Sequence, residues 1–146
     1  MGERLKRNVR PDRNTMPIKF NASVVRATEE DWGTLIVFSV DETLEAERYL
    51  VIQRAREVSN EDVRLGMNDV YIETCGQGWS WYGHIVAVEL FKKMLKVQLD
   101  AEAAARLDDN GLIEVSFDVP EDEFKHLRAS LRRAFVGRPY YCEAAA

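Results

Sequence analysis

Apolar and polar residues alternate over most of the first hundred positions, with the period of two that is typical of half-buried β-strands. In the run PIKFNASVVRA every second residue from position 18 to position 24 is apolar, and polar residues stand between them. Similar runs predict seven strands, at residues 17–27, 34–40, 48–55, 70–75, 84–91, 94–99 and 112–119. The short links between consecutive strands favour an antiparallel meander.

Two later segments change to the period of a helix. Residues 100–111 begin with Asp100 as a candidate N-cap, continue with alanines and end at Gly111, which predicts a short helix. In residues 120–137, four apolar residues share one stripe: Phe124, Leu127, Leu131 and Phe135. This stripe predicts an amphipathic C-terminal helix, which needs an apolar sheet face to cover it.

Together these elements predict an α+β fold. We expect a mainly antiparallel sheet of about seven strands, with the short helix and the C-terminal amphipathic helix packed on one face. Residues 17–138 should form a single domain. Residues 1–16 are basic and polar, which predicts a flexible leader, and residues 139–146 are expected to form a C-terminal tail.

The composition is that of a globular protein. Of the 146 residues, 46 % are hydrophobic and 31 % are charged, which suits one domain whose core needs no disulfide or metal. No run approaches the roughly 18 apolar residues of a membrane span, and the first residues lack the apolar stretch of a secretory signal. We therefore expect a cytoplasmic protein. Cys75 and Cys142 lie at no metal-binding spacing, so no metal or cofactor is predicted.

The formal charge of −5 is unevenly distributed along the chain. Residues 1–19 hold six basic and two acidic side chains, a charge of +4, so the remaining residues carry −9. An acidic surface disfavours binding to a nucleic-acid backbone and favours a basic protein partner.

The most unusual stretch is CGQGWSWYGHI, at residues 75–85, which combines glycines and aromatic residues with Ser80 and His84. Its glycines do not match the GxGxxG pattern, and no GxSxG signature surrounds the serine. Ser80 and His84, with Glu73 lining the same pocket, leave one alternative open: a small-ligand-binding domain or an uncharacterised enzyme.

The other interpretation of this stretch is a protein-binding surface. Tryptophan and tyrosine bury a large area at low entropic cost, which makes Trp79, Trp81 and Tyr82 candidate partner-binding residues. The acidic candidates for the same surface precede them in the chain: Glu57, Glu61, Asp62 and Asp69. Trp79 and Trp81 also have an alternative role, in which they fold onto the edge of the sheet and close the core.

Several phrases of the sequence together resemble the Imm10 family, a family of immunity proteins from bacterial polymorphic toxin systems. The phrases are YLVIQRA, EDVRLGMNDVYIE, WYGHIVAVEL and IEVSF, and the resemblance runs from about residue 20 to about residue 135. The matching residues are Gln53, Arg54, Leu65, Gly66, Tyr71, Glu73, Gln77, Tyr82, Gly83 and Ile85. His84 departs from the pattern, in which a small residue follows Gly83.

This resemblance implies a non-catalytic protein in the cytoplasm of the producing bacterial cell. Such a protein binds a cognate toxin domain and blocks or distorts its active site. A nuclease toxin with a basic surface would suit the acidic charge. Two alternatives remain open: the ligand-binding or enzyme site described above, and a homodimer that forms through an exposed strand.

Overall fold

The chain folds into two five-stranded sheets and three helices, within the part that the computed structural model describes: residues 18–41, 48–74, 80–107 and 110–144. In chain order the elements are β1 (Ile18–Asn21), β2 (Val24–Glu30), β3 (Gly33–Ser39), β4 (Tyr49–Ala55), α1 (Asn60–Arg64), β5 (Tyr71–Thr74), β6 (Ser80–Tyr82), β7 (Ile85–Phe91), β8 (Met94–Leu99), α2 (Ala101–Leu107), β9 (Leu112–Ser116), α3 (Glu121–Ala134) and β10 (Tyr141–Glu143). Sheet A has the strand order β1–β9–β8–β7–β10, and sheet B has the order β2–β3–β4–β5–β6. No helix in these ranges is long and apolar enough to cross a membrane.

Sheet B is an antiparallel meander in which each strand pairs with the next. Ala27 lies opposite Ile36, Ile36 opposite Ile52, and Ile52 opposite Ile72, which in turn faces Trp81. Directly opposed residues point to the same side of a sheet, and the three isoleucines have no exposed surface. This row therefore marks the core face of sheet B, and the opposite side is called its outer face.

Sheet A supplies the rest of the core and contains both parallel strand pairs. β1 pairs in parallel with β9, and β10 pairs in parallel with β7. Buried residues of the two sheets form one hydrophobic cluster. On the other side of sheet A, Glu114 lies 3.5 Å from Lys19 and 3.8 Å from Lys96. Sheet A therefore has a polar face of the usual solvated kind.

Helix α3 packs against β2, β3 and β4 of sheet B and ties them to sheet A. Its predicted stripe is buried, as the amphipathic pattern requires. On the sheet B side, Arg133 Nε lies 2.8 Å from a carboxylate oxygen of Glu29. On the sheet A side, Arg132 lies 2.6 Å from Glu143 on β10, and the ring of Phe135 stacks on that of Tyr141 with centroids 5.3 Å apart.

The α+β class and both predicted helices are confirmed, but the expectation of one sheet with about seven strands is wrong. The run at residues 17–27 forms two strands because the chain leaves sheet A near Ala22 and enters sheet B at Val24. The strands without a predicted counterpart, β6 and β10, have three residues each. Three residues are too few to display a period of two, and β10 lies in the range expected to be a tail.

The polar run at residues 56–69, called the α1 segment below, contains a single short helix with no buried residue. A capping box starts this helix. The Ser59 hydroxyl accepts from the Asp62 N–H, and the Asp62 carboxylate accepts from the Ser59 N–H, both at 3.0 Å. The expected leader, residues 1–16, lies outside the described residues.

Gly33 should tolerate no side chain. A Cβ atom at this position would lie 2.1 Å from the carbonyl oxygen of Arg54 and 2.9 Å from Cα of Ala55, on the paired strand. We expect Gly33→Ala to lower the free energy of unfolding by roughly 2–4 kcal/mol, because backbone atoms of β4 must move. Urea denaturation measures this loss.

Gly66→Ala is the matched control for this substitution. Gly66 has a positive φ of 76° but nothing within 4 Å of its Cβ position, so only the backbone conformation opposes alanine, at a cost of about 1 kcal/mol. If both variants lost the same free energy of unfolding, crowding against β4 would not be the reason that position 33 requires glycine.

Candidate functional site

The outer face of sheet B points away from the hydrophobic core. Strand alternation and register place these residues on it: Val24, Arg26, Thr28, Glu30, Leu35, Val37, Ser39, Tyr49, Val51, Gln53, Tyr71, Glu73, Ser80 and Tyr82. Four of the residues that carry the family resemblance are among them: Gln53, Tyr71, Glu73 and Tyr82. These four side chains do not fill the core, so they contribute to the surface of the protein.

Two tyrosines bind a carboxylate on this face and a third packs on one of them; the group of Tyr49, Tyr71, Glu73 and Tyr82 is called the Tyr–Glu cluster. The Tyr49 hydroxyl donates to Glu73 Oε2 at 2.5 Å, and the Tyr71 hydroxyl donates to Oε1 at 2.7 Å. Tyr82 lies opposite Tyr71, with ring centroids 5.3 Å apart in an edge-to-face arrangement. Burial and the hydrogen bond to Glu73 raise the pKa of Tyr71, so its hydroxyl remains a donor at neutral pH.

A depression of about 150 Å³ lies between the Tyr–Glu cluster and the α1 segment. It is lined by Trp32, Gln53, Ala55, Asp62, Met67, Asp69, Tyr71 and Tyr82. Eight large apolar side chains are exposed in the described part of the chain, and six of them lie at this depression or on the α1 segment: Trp32, Val58, Val63, Leu65, Met67 and Tyr82. Such a concentration of exposed apolar groups is typical of protein-binding surfaces.

Three of the residues predicted to bind a partner meet at this depression: Asp62, Asp69 and Tyr82. Glu57 and Glu61 lie on the same α1 segment and are exposed, but they do not line the depression. The structure therefore brings the aromatic and acidic predictions together at one end of the outer face of sheet B.

Most of these acidic side chains already have partners within the chain. The pairs are Asp62 with the N–H of Ser59, Glu61 with Arg64, and Asp69 with Arg138 at 2.9 Å. Two of these pairs lie within the α1 segment, and the pair of Asp69 with Arg138 links the segment to the chain beyond α3. The pairing leaves the surface with less uncompensated negative charge than the sequence alone suggests.

Of the two tryptophans in the glycine-rich stretch, the structure describes Trp81 but not Trp79. Trp81 lies opposite Ile72 on the core face, with only 8 % of its surface exposed. We therefore withdraw Trp81 from the predicted partner-binding surface, because the pairing of β6 with β5 turns it inward and turns Tyr82 outward. Trp79 lies outside the described residues, as do Cys75 and Gln77.

His84 has a structural role at the turn between β6 and β7. It has a positive φ of 65°, and its Nδ1 lies 2.8 Å from Asp100 Oδ2. The other carboxylate oxygen of Asp100 accepts from the Ala103 N–H at 3.0 Å, which confirms Asp100 as the N-cap of α2. Burial alone would raise the pKa of Asp100, but hydrogen bonds from Ala103 and His84 lower it below its usual value.

Ser80 and His84 belong to different surroundings. Ser80 lies on the outer face of sheet B and forms a side-chain hydrogen bond with Tyr71, whereas His84 is held by Asp100 at the start of α2. The geometry thus gives no support to a serine–histidine pair. Within the described ranges, no three side chains from histidine, cysteine, aspartate and glutamate are placed to hold a metal ion.

Sequence reasoning missed several apolar members of this surface. Trp32 lies in the turn between β2 and β3, and it is 45 % exposed. Val63, Leu65 and Met67 occupy every second position of a run whose predicted contact residues are acidic, and Leu65 enters the sequence analysis only through the family resemblance. Large apolar residues in an otherwise polar loop were the signal that could have identified them.

The fold and this surface define a small α+β protein with an aromatic and apolar sheet face suited to contact with another protein. A family model described as Immunity protein 10 matches residues 21–125, which is most of the chain. The chain therefore belongs to the Immunity protein 10 family, and the resemblance seen in the sequence is confirmed. No curated protein matches the chain.

Asp100→Ala should destabilise the fold by about 1–2 kcal/mol at pH 7, because α2 loses its N-cap and His84 loses its partner. The pKa of Asp100 is lowered in the folded state, so its charged form stabilises the protein above the unfolded pKa of about 3.9. That contribution disappears as the pH falls through the folded pKa. Urea denaturation of both proteins between pH 7 and pH 3 should show the difference shrinking.

Asp118→Ala is the control for the N-cap variant. Asp118 is exposed in the connection after β9, and its loss should change stability by less than about 0.5 kcal/mol at any pH in that range. An Asp100→Ala variant as stable as Asp118→Ala at pH 7 would contradict the proposed role of the His84–Asp100 pair.

Proposed function

We propose that this immunity protein binds a cognate toxin domain and neutralises it in the cytoplasm of the producing cell, without catalysis of its own. The contact surface in this proposal is the outer face of sheet B together with the α1 segment. The observation that carries it is the concentration of exposed apolar and aromatic side chains at one depression and on the α1 segment that borders it. The family match supports the immunity role, and the surface supports the location of the contact.

The composition of the surface suits a protein partner better than a small ligand. Leu65 is 60 % exposed and Trp32 is 45 % exposed, so both offer large apolar areas that only a second protein surface would cover. The depression of about 150 Å³ is smaller than the roughly 300–1,000 Å³ of a typical ligand pocket. A protruding side chain of the toxin would fit it.

The charge of the protein suits a basic toxin. The formal charge of −5 arises although the first 19 residues are basic, so the domain itself has a larger negative charge that accelerates encounter with a positive surface. A nuclease binds a phosphate backbone through such a surface. A toxin of this class is therefore the partner that we propose.

Co-expression with the toxin domain encoded beside this chain should restore growth of a sensitive bacterium, and the purified proteins should form a complex. Leu65→Ala should weaken that complex because it removes an exposed apolar contact from the proposed surface. Binding is measured by titration calorimetry, and protection by colony counts. Failure of the wild-type chain to bind any product of the neighbouring genes would refute the proposed function.

Val86→Ala supplies the control for Leu65→Ala. Val86 is 52 % exposed on β7 of sheet A, away from the proposed surface. Its replacement should leave affinity and protection unchanged. If Val86→Ala weakened the complex and Leu65→Ala did not, the result would contradict the proposed surface and indicate a toxin contact on sheet A.

Trp81→Ala and Tyr82→Ala should separate core from surface on one strand. Trp81 is buried and Tyr82 is 39 % exposed, since neighbouring residues of β6 point to opposite faces. We expect Trp81→Ala to lower the free energy of unfolding by about 3–5 kcal/mol. Tyr82→Ala should weaken toxin binding by about 2 kcal/mol while stability falls by less than about 1.5 kcal/mol.

The measurements for this pair are thermal unfolding and calorimetric titration of each variant. The two variants serve as controls for each other, because both replace a large aromatic residue in β6 by alanine. A Tyr82→Ala protein with wild-type affinity would exclude this tyrosine from the contact.

A further inference from the structure

We propose that the Tyr–Glu cluster receives a lysine or arginine side chain of the bound toxin, with Glu73 as the counter-ion and Tyr82 as an aromatic contact. This inference rests on the proposed function, and it specifies which kind of toxin side chain contacts Glu73. Four features of the described residues support it: the missing cation, the orientation of the carboxylate, the aromatic neighbour and the position on the sheet.

Glu73 is a partly exposed carboxylate that has no cationic partner among the described residues. Its two oxygens accept hydrogen bonds from the hydroxyls of Tyr49 and Tyr71, and no lysine, arginine or histidine in the described part of the chain pairs with it. Several other carboxylates in the same part have cationic partners: Glu29 with Arg133, Asp69 with Arg138, Glu114 with Lys19, and Glu143 with Arg132. Glu73 differs from these four, because its partners among the described residues are two neutral hydroxyl groups.

The tyrosines fix the carboxylate without neutralising it. Each hydroxyl occupies one acceptor position on one oxygen, whereas an ionised carboxylate offers about four. The remaining positions can accept two parallel N–H groups of a guanidinium or one ammonium group. Because Glu73 is already held in place, little side-chain entropy remains to be lost when such a group arrives.

Tyr82 adds an aromatic surface beside the carboxylate. It lies on the edge strand next to Tyr71 and is 39 % exposed. The negative face of a tyrosine ring attracts a cation, more strongly where water is excluded. Arginine and lysine are the side chains that satisfy a carboxylate and an aromatic ring together.

The position of Glu73 on the sheet keeps it away from the basic side chain in its row of the described sheet. On the outer face it lies between Val51 on β4 and Ser80 on β6. The basic residue in the same row is Arg26, on β2. Within this row Arg26 and Glu73 are three strand spacings apart, roughly 14 Å, so the Arg26 side chain does not reach Glu73.

Glu73→Gln is the decisive variant, because it keeps the shape and an acceptor for a tyrosine hydroxyl but removes the charge. Titration of the wild-type and variant chains with the toxin domain encoded beside this gene should show binding at least about tenfold weaker for the variant. Glu89→Gln is the matched control: Glu89 is exposed on β7 of sheet A, and its variant should bind as the wild type does. Equal affinities for Glu73→Gln and Glu89→Gln would overturn the inference.

A probe of known chemistry tests the same site without the toxin. We expect N-butylguanidinium to shift the backbone amide resonances of Tyr71, Glu73 and Tyr82 in the ¹⁵N-labelled wild-type chain, and neutral N-butylurea to leave them in place. The shifts should vanish in Glu73→Gln. Equal shifts in that variant, or shifts centred on β7 and β8, would contradict the inference.

These two experiments separate the inference from the proposed function. A wild-type chain that binds no neighbouring gene product refutes the proposed function, and the guanidinium titration then decides whether the site recognises a cation. A chain that binds its toxin equally well with and without the Glu73 charge refutes the inference alone.

Discussion

The alternation of sheet B between a core face and an outer face is the constraint on which the surface of this protein depends. Its core face is covered by sheet A and α3, and the row from Ala27 to Trp81 fills the interior. Strand alternation then turns every second residue to the outer face. That face carries tyrosines and a carboxylate instead of the lysine and glutamate ladder found on sheet A. This difference between the two outer faces is why we propose the outer face of sheet B as the contact surface.

The α1 segment completes this surface although it has no buried residue in its helix. It is held by ionic and polar contacts to rigid parts of the fold. Arg138, just beyond α3, pairs with Asp69 at the end of the segment. Arg54 of β4 donates to the carbonyl oxygens of Ala134 and Val136 at the same end of α3. The position of the exposed apolar side chains thus depends on the C-terminal end of a helix that belongs to the core.

Local patterns in the sequence predicted most strands and the two helices α2 and α3, but they did not predict which distant segments pair. The alternation around Ile18 shows a strand, yet nothing nearby indicates that β1 joins β9 in parallel. The run GWSWYG places Trp81 and Tyr82 on opposite faces in any strand. Which one points inward is decided by the register with Ile72 on β5. The candidate site shows the same limit, since its acidic residues were visible in the sequence and their partners, such as Arg138 for Asp69, were not.

A carboxylate at the centre of a contact surface affects specificity as well as affinity. If a partner covered Glu73 with apolar groups alone, the charge would lose its hydration and gain nothing in return, which costs several kcal/mol. Tyr49 and Tyr71 would reduce that cost only in part, because each supplies a single neutral donor. A partner with a well-placed cation recovers the loss through charge-assisted hydrogen bonds. In the proposed complex, the Tyr–Glu cluster would therefore discriminate between toxins by penalising every surface that lacks a cation at this point.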